Sequence, residues 1–402
     1  MQRVARWLLV LVLCLAAFSP METRAETEPA ESNPFPLLPG LESAVEFWKK
    51  IFAHYSVTQI VFFDPLEMSK IYEVIDAGSE SRINDYIAGE KARIAAAHGV
   101  DPDRVKAQRG IKEKTAEGLK RSGRYIEYIQ QVFREQGLPE DLAYLPLVES
   151  SFNIHARSHA GALGMWQFMH RTGRQYMRVD RHIDERKDPF ISTRGAAAFL
   201  SQSYKSLGNW PLAITSYNYG PGGMLRAVKA AGSDNLVDII KDYVHPNWGY
   251  PPKNFYAEFL AAVEIGNNVE QYFPGLELEN PAPFREIEVR KAVSVNGLAR
   301  SAGITRDQFL DWNPAIGARA RNIPAGYRVK LPADGKPQRN LQVAQRITEK
   351  TVQVRHHRVK RGETIAQIAR RYGASVERIL QLNGIRRANL LQVGALLLIP
   401  RS

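Results

Sequence analysis

The sequence predicts a mainly α chain, in which a helical domain is followed by two small modules of strand–helix–helix–strand plan. Three observations predict it. From Arg121 to about Pro274, nearly every segment carries helical spacing or a helix start or stop signal. After Pro274, further prolines at 281 and 283 mark a linker, and Ile287, Val289, Val293 and Val295 bring in β-branched alternation. The segment GLARSAGITRDQFLDWN, 297–313, then recurs as QIARRYGASVERILQLN, 367–383, at a constant offset of 70. Its ending IPAGYRVKLP, closing at Pro332, recurs as LQVGALLLIP, closing at Pro400, at an offset of 68. A length of 402 residues leaves room for about two to three domains. Hydrophobic content of 44% and charged content of 24% are those of an ordinary soluble globular chain.

Taken in order, residues 1–25 read as a secretory signal peptide. Arg3 and Arg6 precede an apolar run, Leu8–Phe18, and Ala25 offers a small residue at a cleavage point. An uncleaved anchor is the alternative, disfavoured by the shortness of the run. Cys14, the only cysteine, lies inside that run. Leu13 stands where a lipidation signal wants a small residue, so Cys14 reads as apolar filler and not as a lipid anchor. The exported chain would then have no disulfide and no Cys/His zinc pattern.

Residues 26–40, rich in Pro, Glu, Ser and Thr, read as a flexible lead-in. Residues 41–118 read as an N-terminal helical region, with Val45, Trp48, Phe52 and Tyr55 on one face. In 119–275, Leu138-Pro139-Glu140-Asp141 signals a helix start, and Leu142, Leu145 and Glu149 then share a face. Pro146 within that run implies a kink or an early break. Asp188-Pro189 starts another helix, Gly208-Asn209 ends it, Pro211 opens the next and Gly220-Pro221-Gly222-Gly223 breaks it. Residues 284–334 and 353–402 form the two repeated modules, joined by a polar linker, 335–352.

The net charge is +12, and about +10 remains without the leader. From Arg355 to Ser402 the balance is +8. Such a tail suits a polyanionic surface. Nucleic acid fits on charge alone, but an export signal points instead to a cell-wall polymer or an anionic membrane face. A merely solubilising surface is the bland alternative.

The chemistry centres on LPLVESSFNIHARSHAGALGMWQFM, 145–169. Glu149 is a lone carboxylate among Leu145, Val148 and Phe152, and burial against such side chains raises a carboxyl's pKa. That suits a general acid for a glycosidic bond. A buried Glu paired with an Arg, or a helix-end residue, reads from the same residues. The following acids, Asp180, Asp184, Glu185 and Asp188, lie among Arg181, Arg186 and Lys187 and read as a charged, capped helix entry. The site would then hold one working carboxylate where glycosidases usually carry two, so the substrate itself would have to supply the nucleophile. Gln167 and Asn218 can bond acetamido and hydroxyl groups, while Trp166, Met169, Tyr217 and Tyr219 offer flat or soft apolar faces. Each alone also reads as core. His155 and His159 fall in a loop-like stretch without HExxH, so no metal is expected. With no GxGxxG or Walker A loop, no cofactor is expected either.

At these residues a resemblance enters. Glu149-Ser150, QFM at 167–169 and SYNYGPG at 216–222 make the chain similar to the soluble lytic transglycosylase catalytic domain, which is related to goose-type lysozyme. The repeats resemble LysM glycan-binding modules of βααβ fold, the second closely through HRVKRGETIAQIARRYG. The first is degenerate, lacking the start that Gly362-Glu363-Thr364 provides. The resemblance implies a lysozyme-like α domain over 119–275 followed by two LysM-type modules. It implies an exported enzyme of the periplasm or cell envelope acting on peptidoglycan glycan strands, with no nucleic acid partner and no need of membrane association. Glu149 would act first as acid and then as base, cleaving the β-1,4 bond between N-acetylmuramic acid and N-acetylglucosamine without water and leaving a 1,6-anhydro ring. Ser158 and Gln167 match cleft positions, Met169 a wall position and Tyr217-Asn218 a third motif. Tyr256 stands one residue beyond the register of the family's cleft tyrosine, which falls on Phe255. Ser216 and Tyr219 replace the usual Ala, and His155 and His170 stand where Pro is common. A muramidase on the same fold and a catalytically decayed wall-binding protein remain as alternatives.

Overall fold

The computed structural model describes residues 33–78, 83–333, 354–383, 385, 391 and 395–400. The leader with Cys14, residues 26–32 of the lead-in and the whole 335–352 linker lie outside the described residues.

The chain enters its core earlier than the lead-in composition suggests. Phe35 is buried edge-on against Trp210 and Phe259, and α1 (Glu42–Ala53) buries Ala44, Val45, Phe47, Trp48, Ile51 and Phe52. Two strands follow, β1 (Gln59–Asp64) and β2 (Glu67–Asp76), then α2 (Ile83–His98), β3 (Lys106–Arg109) and α3 (Lys112–Ser122). The strands form an antiparallel sheet in the order β2-β1-β3. The expectation of helix across 41–118 is therefore corrected. The physical reason lies in β1, which is buried on both faces. Ile60 and Phe62 pack with Ile94, Ala95 and Val105, whereas Val61 and Phe63 join the main core. A central strand of this kind reads as a continuous apolar run, not as alternation.

The helical domain continues through α4 (Ile126–Glu135), a 3-10 turn (Glu140–Tyr144), α5 (Leu145–Ser150), α6 (His170–Tyr176), α7 (Pro189–Leu207), α8 (Trp210–Tyr219), α9 (Pro221–Ala231), α10 (Leu236–Asp242), α11 (Tyr250–Asn267) and α12 (Val269–Tyr272). Its punctuation follows the sequence. The Asp188 carboxylate accepts from the N–H groups of Phe190 and Ile191 at the start of α7. Gly208 ends α7 in the left-handed region at φ +83°. Asn209 then caps α8 by accepting from Leu212. Pro146 stands in the first turn of α5, so the expected kink is a boundary between the 3-10 turn and a separate helix. The long helix α11 packs against α1, α5 and α8 and forms the spine of the domain.

Both repeats have the expected βααβ plan. The first comprises β4 (Phe284–Glu288), β5 (Val293–Ser294), α13 (Val295–Ser301), α14 (Arg306–Trp312), β6 (Asn322–Ile323) and β7 (Arg328–Pro332). There β4 pairs antiparallel with β7, and β5 with β6. The second comprises β8 (Val354–Arg358), α15 (Ile365–Tyr372), α16 (Val376–Leu382) and β9 (Leu396–Pro400), with β8 and β9 paired antiparallel.

The two repeats differ in attachment. The first shares its core with Ile183 of the helical domain. Two backbone bonds stitch the seam, Asp184 N–H to the Ala315 carbonyl at 2.8 Å and Gly317 N–H to the His182 carbonyl at 2.9 Å. Lys330 of β7 forms a buried ion pair with Asp188 and lies over the rings of Phe190 and Phe284, 5.3 and 5.8 Å from their centroids. The second repeat has its own core around Ile365, Ile368, Ile379, Leu397 and Ile399.

Candidate active site

Glu149 is the last residue but one of α5, and the backbone turns sharply behind it. Ser151 and Phe152 occupy the left-handed region at φ +49° and +56°, and Gln167 does so at +46°. Among the described residues these are the non-glycine positions with positive φ, and all three flank Glu149 or the loop facing it. Such residues cost roughly 1–3 kcal/mol each and persist where the surroundings over-determine them. Here the surroundings are specific. Arg121 donates twice to the Ser151 carbonyl, at 3.1 and 2.8 Å. The Ser150 hydroxyl donates to the Met165 carbonyl at 2.7 Å, tying α5 to the 156–169 loop. In that loop Gly164 is obligatory, because a Cβ there would lie 1.9 Å from the Arg186 carbonyl oxygen.

The Glu149 carboxyl is half-buried and accepts no hydrogen bond among the described residues. Burial, and after it the charge of Glu258, push its pKa up to about 8. The alternative of a buried Glu paired with an Arg does not hold, since no ion pair forms there among the described residues. Tyr217 of α8 stands close enough for the Glu149 charge, after burial, to drive its phenol well above its ordinary value. Its hydroxyl donates to the Trp166 carbonyl at 2.7 Å, and the Trp166 indole donates to the Thr193 hydroxyl at 2.9 Å. Trp166 is fully buried, so it supports the site from beneath.

The remaining expected residues divide. Ser158 closes a tight turn, its hydroxyl accepting from Ala162 N–H at 2.9 Å. The Gln167 amide nitrogen donates to the carbonyls of Ala156 and Gly164 at 3.2 and 2.7 Å. Met169 is 44% exposed, and Asn218 is exposed at the end of α8. Tyr256 does not join them. It is fully buried, and its hydroxyl donates to the Pro36 carbonyl at 2.9 Å, which makes it a tie between α11 and the entering chain. Phe255, at the register position itself, is buried in the same core. His155 and His159 are exposed on turns.

The acids after Glu149 are at the helix entry, as their neighbours suggest. Burial acts against the Asp180 charge, but the Arg178 guanidinium and the N–H groups of His182 and Ile183 hold its pKa down to about 2. Asp184 pairs with Arg186 at 2.7 Å, Glu185 accepts from the Arg178 N–H at 2.6 Å, and Asp188 caps α7.

A second carboxylate that the sequence reading passed over lies near Glu149. Glu258, on α11, is half-buried, and its charge bears on Glu149. Burial pushes Glu258 up to about 8 as well. The signal that could have found it is the one that picked out Glu149. In NFYAEFLAAV, 254–263, Glu258 is a lone charge in an apolar run.

Residues 127–238 match the family described as the Transglycosylase SLT domain. Glu149, the 156–169 loop and Tyr217 fall inside that match. Residues 357–400, the second repeat, match the LysM domain family. Membrane-bound lytic murein transglycosylase D of Escherichia coli (strain K12) is 27% identical over 285 residues, covering 66% of this chain and 61% of the relative. The chain thus spans about three fifths of that relative's length. Membrane-bound lytic murein transglycosylase C of Cronobacter sakazakii is 31% identical over 136 residues, covering 30% of this chain and 38% of the relative. Among solved structures, the soluble lytic transglycosylase SLT70 of Escherichia coli overlays on 38% of this chain and 25% of its own, at 17% identity and a TM-score of 0.32. The SLT match ends before α11, so Glu258 lies outside it.

Proposed function

We propose that this chain is a peptidoglycan lytic transglycosylase of the cell envelope. The single observation that carries the reading is Glu149: a half-buried carboxyl, without a hydrogen bond or cation, pushed up to about 8 inside an SLT domain. Such a group keeps its proton at neutral pH and can give it away. In the proposed reaction Glu149 protonates the glycosidic oxygen leaving N-acetylmuramic acid, and the bond from that oxygen to C1 breaks. The sugar's own C6 oxygen then bonds to C1, and its hydroxyl proton passes to the Glu149 carboxylate. The acid is regenerated, no water is consumed, and the product carries a 1,6-anhydro ring. Tyr217 and the strained loop hold Glu149 in place, while Gln167 and Asn218 are proposed to bond the sugar and Met169 to wall it. The LysM domain and the basic tail would hold the enzyme to the glycan.

A second reading is favoured by one observation, the presence of Glu258. A second acid could activate water and give hydrolysis on the same frame. Mass spectrometry of digested peptidoglycan decides between them. Anhydro-muropeptides are expected; reducing ends alone would replace the transglycosylase by a muramidase, and no release would leave a wall-binding protein.

A further inference from the structure

We propose that Glu258 is a positioning residue of this site, a second acid carried by α11 that acts through Glu149 to hold the donor proton in place. The inference rests on the transglycosylase reading and adds a residue to it.

The geometry begins with α5 lying on α11. Just before α5, the Tyr144 hydroxyl donates to the Gly266 carbonyl near the end of α11 at 3.0 Å. α5 is thereby tied to α11, and the charge of Glu258 on α11 bears on Glu149. Neither carboxyl has a hydrogen bond or a cation among the described residues. The titratable groups that face the pair are phenols. Tyr217 of α8 faces Glu149, with Tyr176 of α6 behind it. Tyr250, at the start of α11 itself, faces Glu258. The Tyr250 hydroxyl is buried and has no hydrogen-bond partner, which is rare for a buried polar group outside a functional site. From α1 and the 3-10 turn, no charged group bears on Glu258.

A structural acid in such a place would have an arginine or lysine beside it, as Asp188 has Lys330. Two unpaired neighbours give up their protons one after the other, and ionisation of one holds the proton on the other. That serves both steps. Before bond cleavage, Glu149 keeps the proton it must donate. Once it has donated, its new carboxylate stands beside a second acid, and when that acid is ionised the repulsion makes Glu149 the stronger base toward the C6 hydroxyl.

The test uses the full chain with peptidoglycan sacculi from about pH 5 to about pH 9, following kcat/KM and product identity. The wild type should lose activity as pH rises through the Glu149 pKa. In Glu258→Gln the alkaline limb should move down by about one pH unit, because the like charge is gone. Glu258→Asp should restore most of that shift. A loss of rate by the same factor at every pH, or an unmoved limb, would overturn the proposal and leave Glu258 as packing. If Glu258→Gln fails to fold, Glu258→Ala takes its place, and a limb at the wild-type position overturns the idea equally. Product identity keeps the two readings apart. Anhydro ends with an unmoved limb sink the role of Glu258 only. Reducing ends that vanish in Glu258→Gln sink the transglycosylase reading and make Glu258 a base for water.

Discussion

Asp188 and Glu149 are both carboxylates taken out of water, and their surroundings treat them in opposite ways. Asp188 is fully provided for: two backbone N–H groups of α7, the Lys330 ammonium, and two aromatic rings around that ammonium. Glu149 has burial and strain around it but neither donor nor cation among the described residues, and the one side-chain charge that bears on it is that of another acid, Glu258. The first arrangement fixes a charge, and the second withholds one. A buried pair, once formed, holds the first βααβ module against the helical domain. An unpaired acid is available for proton transfer. Burial alone leaves a carboxylate's state open; the presence or absence of a partner settles it.

The largest effect that would break this contrast is on turnover. Glu149→Gln should lower the release of muropeptides by about 10³-fold or more, the scale of a lost general acid. Retained activity, measured by chromatography of released products, would remove Glu149 from the chemistry. Next comes the paired site. Lys330→Met should leave the Asp188 charge buried and cost about 3–5 kcal/mol in denaturant unfolding. Adding Asp188→Asn should recover part of that loss, and a single substitution without cost would mean that the seam is not held there.

A smaller effect, of opposite sign, should come from Glu149 itself. Its folded pKa lies above its unfolded value, so the native state binds the extra proton between about pH 4.5 and about pH 8. Over that window its ionisation progressively destabilises the fold as pH rises. Glu149→Gln should therefore be neutral near pH 4 and stabilising by about 1–2 kcal/mol near pH 8, a figure reduced for partial exposure. Equal stability of the two proteins at both pH values would contradict the unpaired state of this acid. The least effect on chemistry is expected from the second module. Removing 353–402 should weaken retention on insoluble wall by about tenfold through lost multivalency, while cleavage of soluble glycan fragments stays level. Unchanged retention in a sedimentation assay would deprive the LysM domain of its role.

Much of this was legible before the fold. Helix boundaries at Asp188, Gly208, Asn209 and Pro221 follow from local backbone chemistry, which a few neighbouring residues settle. The βααβ repeats are visible because the chain states them twice. Glu149 stands out as one charge in an apolar run. What failed was non-local. The β1 strand lacks alternation because separate cores cover its two faces. Phe35 looks like part of a polar leader until Trp210 and Phe259 are seen around it. Tyr256 reads as a cleft residue until Pro36, from the entering chain, is found accepting its hydroxyl.

The sequence by itself determined the mainly helical plan, the tandem modules, the basic tail and the acid in the 145–169 segment. These depend on residue type and short spacing, which act through the local backbone and the hydrophobic pattern. Only the tertiary structure decided which acids have partners. Lys330 reaches Asp188 across a seam between modules, whereas no donor or cation among the described residues reaches Glu149. A carboxylate's protonation depends on the charges and donors within a few ångströms of it, and those neighbours come from distant parts of the chain.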